Sequence, residues 1–267
     1  MISKNPAIKT TIDGLNKLYN EQAPYALNRA YYSELPRNAE TLALGSLFGS
    51  YVEAVENGTS SQKSLDQLKS RLSEIYKDYE SGLDAKVTAK VVALYANKTP
   101  QQFLPAGFEN YKDVNQNIST IVNWSKNSVV MGSGKVNGAT VYSDINKVFA
   151  DQNALVQALK KDPIVQLYAS IKGTYVKTTH EKVTSLQTEI DALQKQFMAQ
   201  QMETDKDRKF FPDANSTLRV TYGKVKGSNP RDAVSYGYQT HLAGVMEKYI
   251  PGDYEFDLPK KLINLYN

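Results

Sequence analysis

The 267-residue chain contains no cysteine, which excludes a disulfide framework, a thiol nucleophile and a thiolate metal site together. Redox compartment stays open, because such a chain suits a reducing or an oxidising environment equally. Histidine is nearly absent as well: His180 and His241 are the only two, so imidazole chemistry has few places to occur. Nowhere do eighteen apolar residues run together, and Met1-Ile2-Ser3-Lys4-Asn5-Pro6 lacks the apolar core of an export signal. The sequence therefore predicts no membrane span and shows no leader. Charge of one sign is also scarce. Against 32 basic residues stand 28 acidic ones, for a net charge of +4, and no Lys/Arg block rises above the background, so a nucleic-acid partner is not expected. No internal repeat at a fixed period is found.

What is present is helical periodicity over a length that allows one large or two small domains with a real core. Ile8, Ile12, Leu15 and Leu18 predict a first helix from Asn5 to about Gln22, stopped before Pro24 and slightly weakened by Gly14. A short second helix over 25–35 stops at Pro36. Leu44, Leu47, Phe48, Tyr51, Val52 and Val55 form one stripe of a third helix, 38–56, ended by Asn57-Gly58. The fourth, 61–79, carries Leu65, Leu68, Leu72, Ile75, Tyr76 and Tyr79, and Gly82 separates it from a fifth with Val87, Val91, Leu94 and Tyr95. Connections this short make antiparallel neighbours. Thr99-Pro100 reads as a cap with proline at the first helical position, 103–111 as a packed loop, and Asp113 as the start of a helix to Trp124. The stretch NSVVMGSGKVNG, 127–138, reads as a flexible connection. Short helices follow over 142–149 and 153–159. Asp162-Pro163 then opens the longest element, continuous to about Met202, in which Val183, Leu186, Ile190, Leu193 and Phe197 repeat like a coiled-coil seam. Such a helix must lie along other helices or pair with a partner.

Candidate chemistry is sparse. His180, among Thr178, Thr179, Glu181 and Lys182, reads as a solvated residue, and it lacks the second histidine four residues on that a zinc-binding helix needs. His241 has no companion ligand nearby in sequence. Gly132-Ser133-Gly134-Lys135 resembles a phosphate loop, but Val129 and Val136 stand where that motif requires glycine and a hydroxyl. There is no Gly-x-Ser-x-Gly elbow. The catalytic, cofactor-binding and metal-ligating sets are therefore all expected to be empty, and no cofactor is expected. Of the many tyrosines, Tyr31-Tyr32, Tyr76/Tyr79 and Tyr236/Tyr238 read first as packing residues with wet hydroxyls; Tyr31-Tyr32-Ser33-Glu34 is retained as a substrate-contact candidate.

The stretch Phe210 to Lys248 departs from the helical pattern. Leu218, Val220 and Tyr222 alternate with Thr217, Arg219 and Thr221, as in a strand with one buried face. Pro212, Asp213 and Asn215 suit a turn. Pro251-Gly252-Asp253 reads as another turn, and 259–266 as a last short helix.

Pro212-Asp213-Ala214-Asn215-Ser216-Thr217-Leu218-Arg219, Tyr222-Gly223-Lys224-Val225-Lys226-Gly227, Tyr238-Gln239-Thr240 and Gly244-Val245-Met246-Glu247-Lys248 together resemble the bacterial dipeptidyl-peptidases of the seven and eleven type. The likeness is dense over about forty residues and continues loosely through Asn28-Arg29 with Tyr32-Ser33-Glu34-Leu35, through Ser128-Val129-Val130 and through Lys161-Asp162-Pro163. Ser228 stands where that family usually has an aromatic residue and His241 where a second threonine is usual; neither is a catalytic position there.

The resemblance implies a serine exopeptidase in which a helical domain interrupts a chymotrypsin-like double β-barrel. It implies a helical cap over 1–209 and the beginning of the second barrel half over 210–267. It also implies that the nucleophile, in a Gly-Asn-Ser-Gly-Ser-Pro type motif, follows residue 267. The catalytic histidine and aspartate, and the asparagine that holds the substrate's amino group, should precede residue 1. The expected partners are peptide substrates and the remainder of the barrel, and the expected location is periplasmic or at the cell surface. The fold class expected is mainly α: an antiparallel helical bundle or cap with one long helix, plus a small β-containing C-terminal segment. The alternative is a non-enzymatic helical scaffold or oligomerisation protein, with the long helix pairing two copies as a homodimer.

Overall fold

The computed structural model describes residues 5–211 and 213–267; the readings that rest on residues 1–4 and on Pro212 lie outside them. The fold is mainly α with one small β-hairpin. It divides into two compact units, Met1–Lys209 and Phe210–Asn267.

Helix α1 spans Pro6–Asn38, begun by Asn5, whose side chain accepts the Ala7 N–H at 3.1 Å. The two helices expected on either side of Pro24 are one. An interior proline costs about 3 kcal/mol, but α1 lies along helix α9 (Glu181–Thr204) and is tied to it beside the proline. Gln22 donates to Gln187 Oε1 at 3.0 Å and Glu21 pairs with Lys182 at 2.6 Å. Tertiary contact outweighs local propensity here. Gly14, read as a weakness, permits close approach instead: a Cβ there would stand 3.0 Å from Leu193 Cδ1.

Helices α2 (Glu40–Glu56), α3 (Gln62–Asp78) and α4 (Ser81–Lys98) follow with short connections. Ser61 caps α3 reciprocally with Ser64. Gly82 does not separate helices; it sits in the first turn of α4, where Glu80 accepts its N–H and that of Leu83. Thr99 closes α4 and Pro100 leads only into a 3₁₀ turn, Gln101–Phe103, so the expected proline-started helix is absent. A second 3₁₀ turn, Phe108–Tyr111, precedes α5 (Val114–Trp124), which Asp113 caps. Next come α6 (Ile145–Val148), α7 (Gln152–Lys161) and α8 (Pro163–Tyr175).

The segment 127–138 is no flexible connection. Ser128 is buried, and Val129, Val130, Met131 and Val136 belong to the larger core cluster, which also takes in Leu44, Phe48, Leu72 and Leu155. Glycine and serine serve compactness at this point. The Gly134 N–H donates to Ser128 O at 2.8 Å, and Gly132 at φ +88° lets the Tyr142 ring lie against it.

From Pro163 to Thr204 the chain stays helical without a break, roughly 60 Å at 1.5 Å per residue. It is not uniform: Val176–His180 forms a π-turn between α8 and α9. The seam residues Val183, Leu186 and Ile190 are buried on the α1 side of this chain.

In the unit Phe210–Asn267, β1 (Ser228–Arg231) pairs antiparallel with β2 (Val234–Tyr236), turning through Ala233 at φ 59°. Two short helices, α10 (Leu242–Met246) and α11 (Lys260–Tyr266), follow, and Gly252 at φ +77° lies in the turn between them. The strand expected over 217–222 is not formed. Leu218 is 97% exposed and Tyr222 98%. A strand needs a neighbour's ladder and a core for its apolar face, and none of the described residues in this unit is buried.

Candidate functional site

Gln22, Tyr25, Asn28 and Tyr32 recur at helical spacing on α1. Gln22, Asn28 and Tyr32 contact α8, the π-turn or α9, while Tyr25 packs edge-on against Phe103. Asn28 is completely buried and donates through Nδ2 to Thr179 Oγ1 at 2.7 Å. Thr179 is itself buried, and its hydroxyl lies 3.1 Å from that of Thr178, which donates to Thr174 O. One helical turn further, Tyr32 stacks on Tyr175 with centroids 4.1 Å apart and planes within 5°. Its hydroxyl is 3.2 Å from that of Tyr168. A π-turn carries an extra residue per turn, and such turns concentrate at functional positions. Here it turns Thr179 inward onto Asn28, whose Oδ1 is buried without a protein donor.

The chemistry available is that of neutral hydroxyls and amides. Burial, then the Tyr168 hydroxyl, pushes the Tyr32 phenol far above its ordinary range. Burial raises Tyr175 too, with the Arg29 charge opposing it. Neither can serve as a base near neutrality. The cluster can hold and orient polar groups; it cannot by itself activate a nucleophile.

The remaining sequence candidates lie apart from this arrangement. His180 is exposed at the end of the π-turn, its ring 6.1 Å from that of Tyr175. His241 is exposed in the other unit, ahead of α10. Glu34 faces Arg37 at 3.3 Å and Ser33 bonds Ala30 O, so the Tyr31-Tyr32-Ser33-Glu34 candidate contributes only Tyr32 to the cluster. Tyr76 and Tyr79 are buried, donating to Val130 O at 2.5 Å and sharing a 2.7 Å bond with Thr41 respectively. Tyr236 and Tyr238 are exposed. Among the described residues no group of three or more histidines and carboxylates is placed to hold a metal ion. Sequence reasoning missed Thr179, for which no local signal exists, and the buried carboxylate Asp84.

Eight tyrosines, 32, 51, 76, 79, 95, 111, 142 and 175, have phenols raised by burial, Tyr95 to about 12. Unfolded phenols lose their protons near pH 10, so above that pH the folded state holds more protons than the unfolded one. The stabilisation is complete below about pH 10 and is lost as pH rises beyond it. Alkaline titration followed at 295 nm and by circular dichroism tests this. The buried members, Tyr51, Tyr76, Tyr79, Tyr95 and Tyr175, should ionise together with loss of helical circular dichroism; their ionisation with an intact helix would contradict this.

The profile of the Peptidase S46 family matches residues 1–267. An Asp/Glu-specific dipeptidyl-peptidase of Flavobacterium psychrophilum is 38% identical over 259 residues, covering 94% of this chain and 34% of its own length. Dipeptidyl-peptidase 7 of Phocaeicola vulgatus is 32% identical over 206 residues, covering 76% of this chain and 27% of its own. The crystal structure of Porphyromonas endodontalis DPP11 in an alternate conformation aligns at TM-score 0.57 and 20% identity, over 97% of this chain and 38% of that one, a likeness of fold. The chain thus spans about a third of the length of the curated relatives it matches. With the whole of its length matched by one family profile and the resemblance of residues 212–248 running the same way, the chain belongs to the Peptidase S46 family, that of the seven- and eleven-type dipeptidyl-peptidases.

Proposed function

We propose that this chain is the helical cap, with the start of the second barrel half, of a serine dipeptidyl-peptidase that removes dipeptides from peptide N-termini. The observation that carries the reading is identity of 38% along 94% of the chain to a relative named as an Asp/Glu-specific dipeptidyl-peptidase. An exopeptidase must close one end of its cleft so that only a short N-terminal segment enters, and a rigid helical body serves that purpose. The Ser-His-Asp chemistry is assigned to the remainder of a longer protein, since neither histidine here has a partner suited to it among the described residues. The unburied apolar row of Leu218, Val220 and Tyr222 supports the same reading, because such a row gains its ladder and core only from further strands. Cleavage after acidic residues, a periplasmic or cell-surface location, and docking to its own barrel belong to the proposal.

Two assays test it. The 267-residue chain should leave dipeptidyl-coumarin amides intact, whereas a longer protein containing it should release coumarin from those with Asp or Glu next to the dye faster than from those with Phe. Turnover by this chain that survives repurification would overturn the cap assignment; an inactive longer protein would overturn the peptidase assignment. The scaffold alternative is weakened by the long helix itself, whose seam residues Val183, Leu186 and Ile190 are buried within this chain.

A further inference from the structure

The motif Gly132-Ser133-Gly134-Lys135 has no part in the reading above, yet its lysine borders a built cavity. The cavity, about 350 Å³, lies between the end of α5, the 127–135 loop and the α7–α8 junction, and is lined among others by Asn123, Trp124, Asn127, Lys135, Lys161 and Asp162. Its walls are fixed. Asp162 is buried and uses both oxygens: Oδ2 accepts from Ser128 Oγ at 2.9 Å and from the Val130 N–H at 3.2 Å, and Oδ1 accepts from the Ile164 N–H at 2.9 Å. At Gly134 a Cβ would meet Asn127 O and Val129 N, each at 2.6 Å, so the backbone that presents Lys135 has one tight course. Trp124 packs against both core clusters and is held half-buried.

The two ammonium groups are what this cavity leaves unused. Lys160 nearby is paired with Glu56, and Lys126 bonds Asn123, but Lys135 and Lys161 enter no ion pair among the described residues. The one carboxylate in the lining, Asp162, is already saturated by three donors. A phosphate-type cradle is not available, because the N–H groups of Gly132, Ser133 and Gly134 are spent on Val129 O and Ser128 O. What remains is a lining with two exposed lysines, an indole and two carboxamides. That suits a carboxylate on a compact organic body.

We infer that this cavity is an accessory site for the acidic side chains of a peptide, engaged by Lys135 and Lys161 against Trp124. That the carboxylate belongs to a peptide rests on the proposed peptidase reading; the two cations and the cavity do not depend on it. The site would hold substrate residues away from the scissile bond and so favour acidic peptides by affinity alone.

The chain has a single tryptophan, so its emission reports on this cavity. Titration of the 267-residue chain at low ionic strength and pH 7 with a blocked tri-aspartate peptide should change that emission saturably, and a blocked tri-asparagine peptide should not. Lys135→Met and Lys161→Met should each weaken binding about two- to fivefold, the range of one exposed ion pair, and together about four- to twenty-five-fold, with unchanged circular dichroism. Lys69→Met, which removes an ammonium over the Phe149 ring elsewhere, should leave binding unchanged. Equal response to tri-asparagine, unaltered binding by the double variant, or tighter binding of inorganic phosphate than of tri-aspartate would each overturn the inference. These outcomes are separate from the coumarin assays: an inactive longer protein leaves the titration unaltered, and a silent titration leaves the peptidase reading intact.

Discussion

Asp162→Ala is expected to lower the unfolding free energy by about 3 to 5 kcal/mol. Three losses coincide. The cap of α8 goes, worth about 1 kcal/mol. The Val130 N–H and the Ser128 hydroxyl lose their shared acceptor, and each buried donor left unsatisfied costs roughly 1 to 3 kcal/mol. The hydroxyl can turn towards another acceptor, and for that reason the estimate stops short of the full sum. Ser128 also accepts the Met131 N–H at 3.0 Å, so the disturbance passes directly into the buried 128–134 loop. Asp162→Asn keeps one acceptor oxygen and should cost about half as much. Urea denaturation monitored by circular dichroism reads both; a midpoint for the alanine variant within error of the parent would show that the loop is held by apolar burial alone.

Asp84→Ala should cost about 2 to 4 kcal/mol by a related route. Asp84 belongs to α4, yet its carboxylate accepts the N–H groups of Glu40 at 3.0 Å and Thr41 at 2.7 Å, the unpaired donors at the start of α2. Ala39, which precedes α2, offers no side-chain acceptor. Without Asp84 the backbone N–H of the completely buried Thr41 loses its acceptor, and the Thr88 hydroxyl loses a partner at 3.3 Å. The second readout is Glu40, whose carboxyl is raised by burial first and then by the charges of Asp84 and Asp78. A raised carboxyl favours folding while it is protonated, and that contribution is lost as pH rises through its folded value. Asp84→Asn should therefore bring Glu40 back towards the ordinary carboxyl range in a carbon-detected NMR titration, while the stability loss is only partial. An unmoved Glu40 would mean that burial alone sets its value.

Both carboxylates illustrate what could be read in advance. Asp162-Pro163 announces the start of a helix from local chemistry, and Asp113 and Ser61 do the same. Asp84 gives no such sign, because the helix it caps begins more than forty residues earlier in the chain. The amphipathic stripes of α2 and α3 were legible because burial of one helical face imposes a period of 3.6. Pro24 misled because a proline's cost is local while the contacts that offset it, to Gln187 and Lys182, come from α9. The 127–138 stretch misled in the opposite direction: small residues suit a loose linker and a tightly bonded buried loop equally well, and only neighbours distinguish them.

The sequence by itself determined the helical class, the cap chemistry of individual helices, the absence of thiol chemistry and, through residues 212–248, the family. These rest on local periodicity, residue identity and short motifs, all carried by neighbouring positions. The tertiary structure decided that α1 is one helix, that the long helix is interrupted by a π-turn pinned by Asn28 and Thr179, and that Lys135 and Lys161 border one cavity with Trp124. Each of these depends on groups far apart in the chain meeting at hydrogen-bond or van der Waals distance, and no spacing along a sequence encodes that meeting.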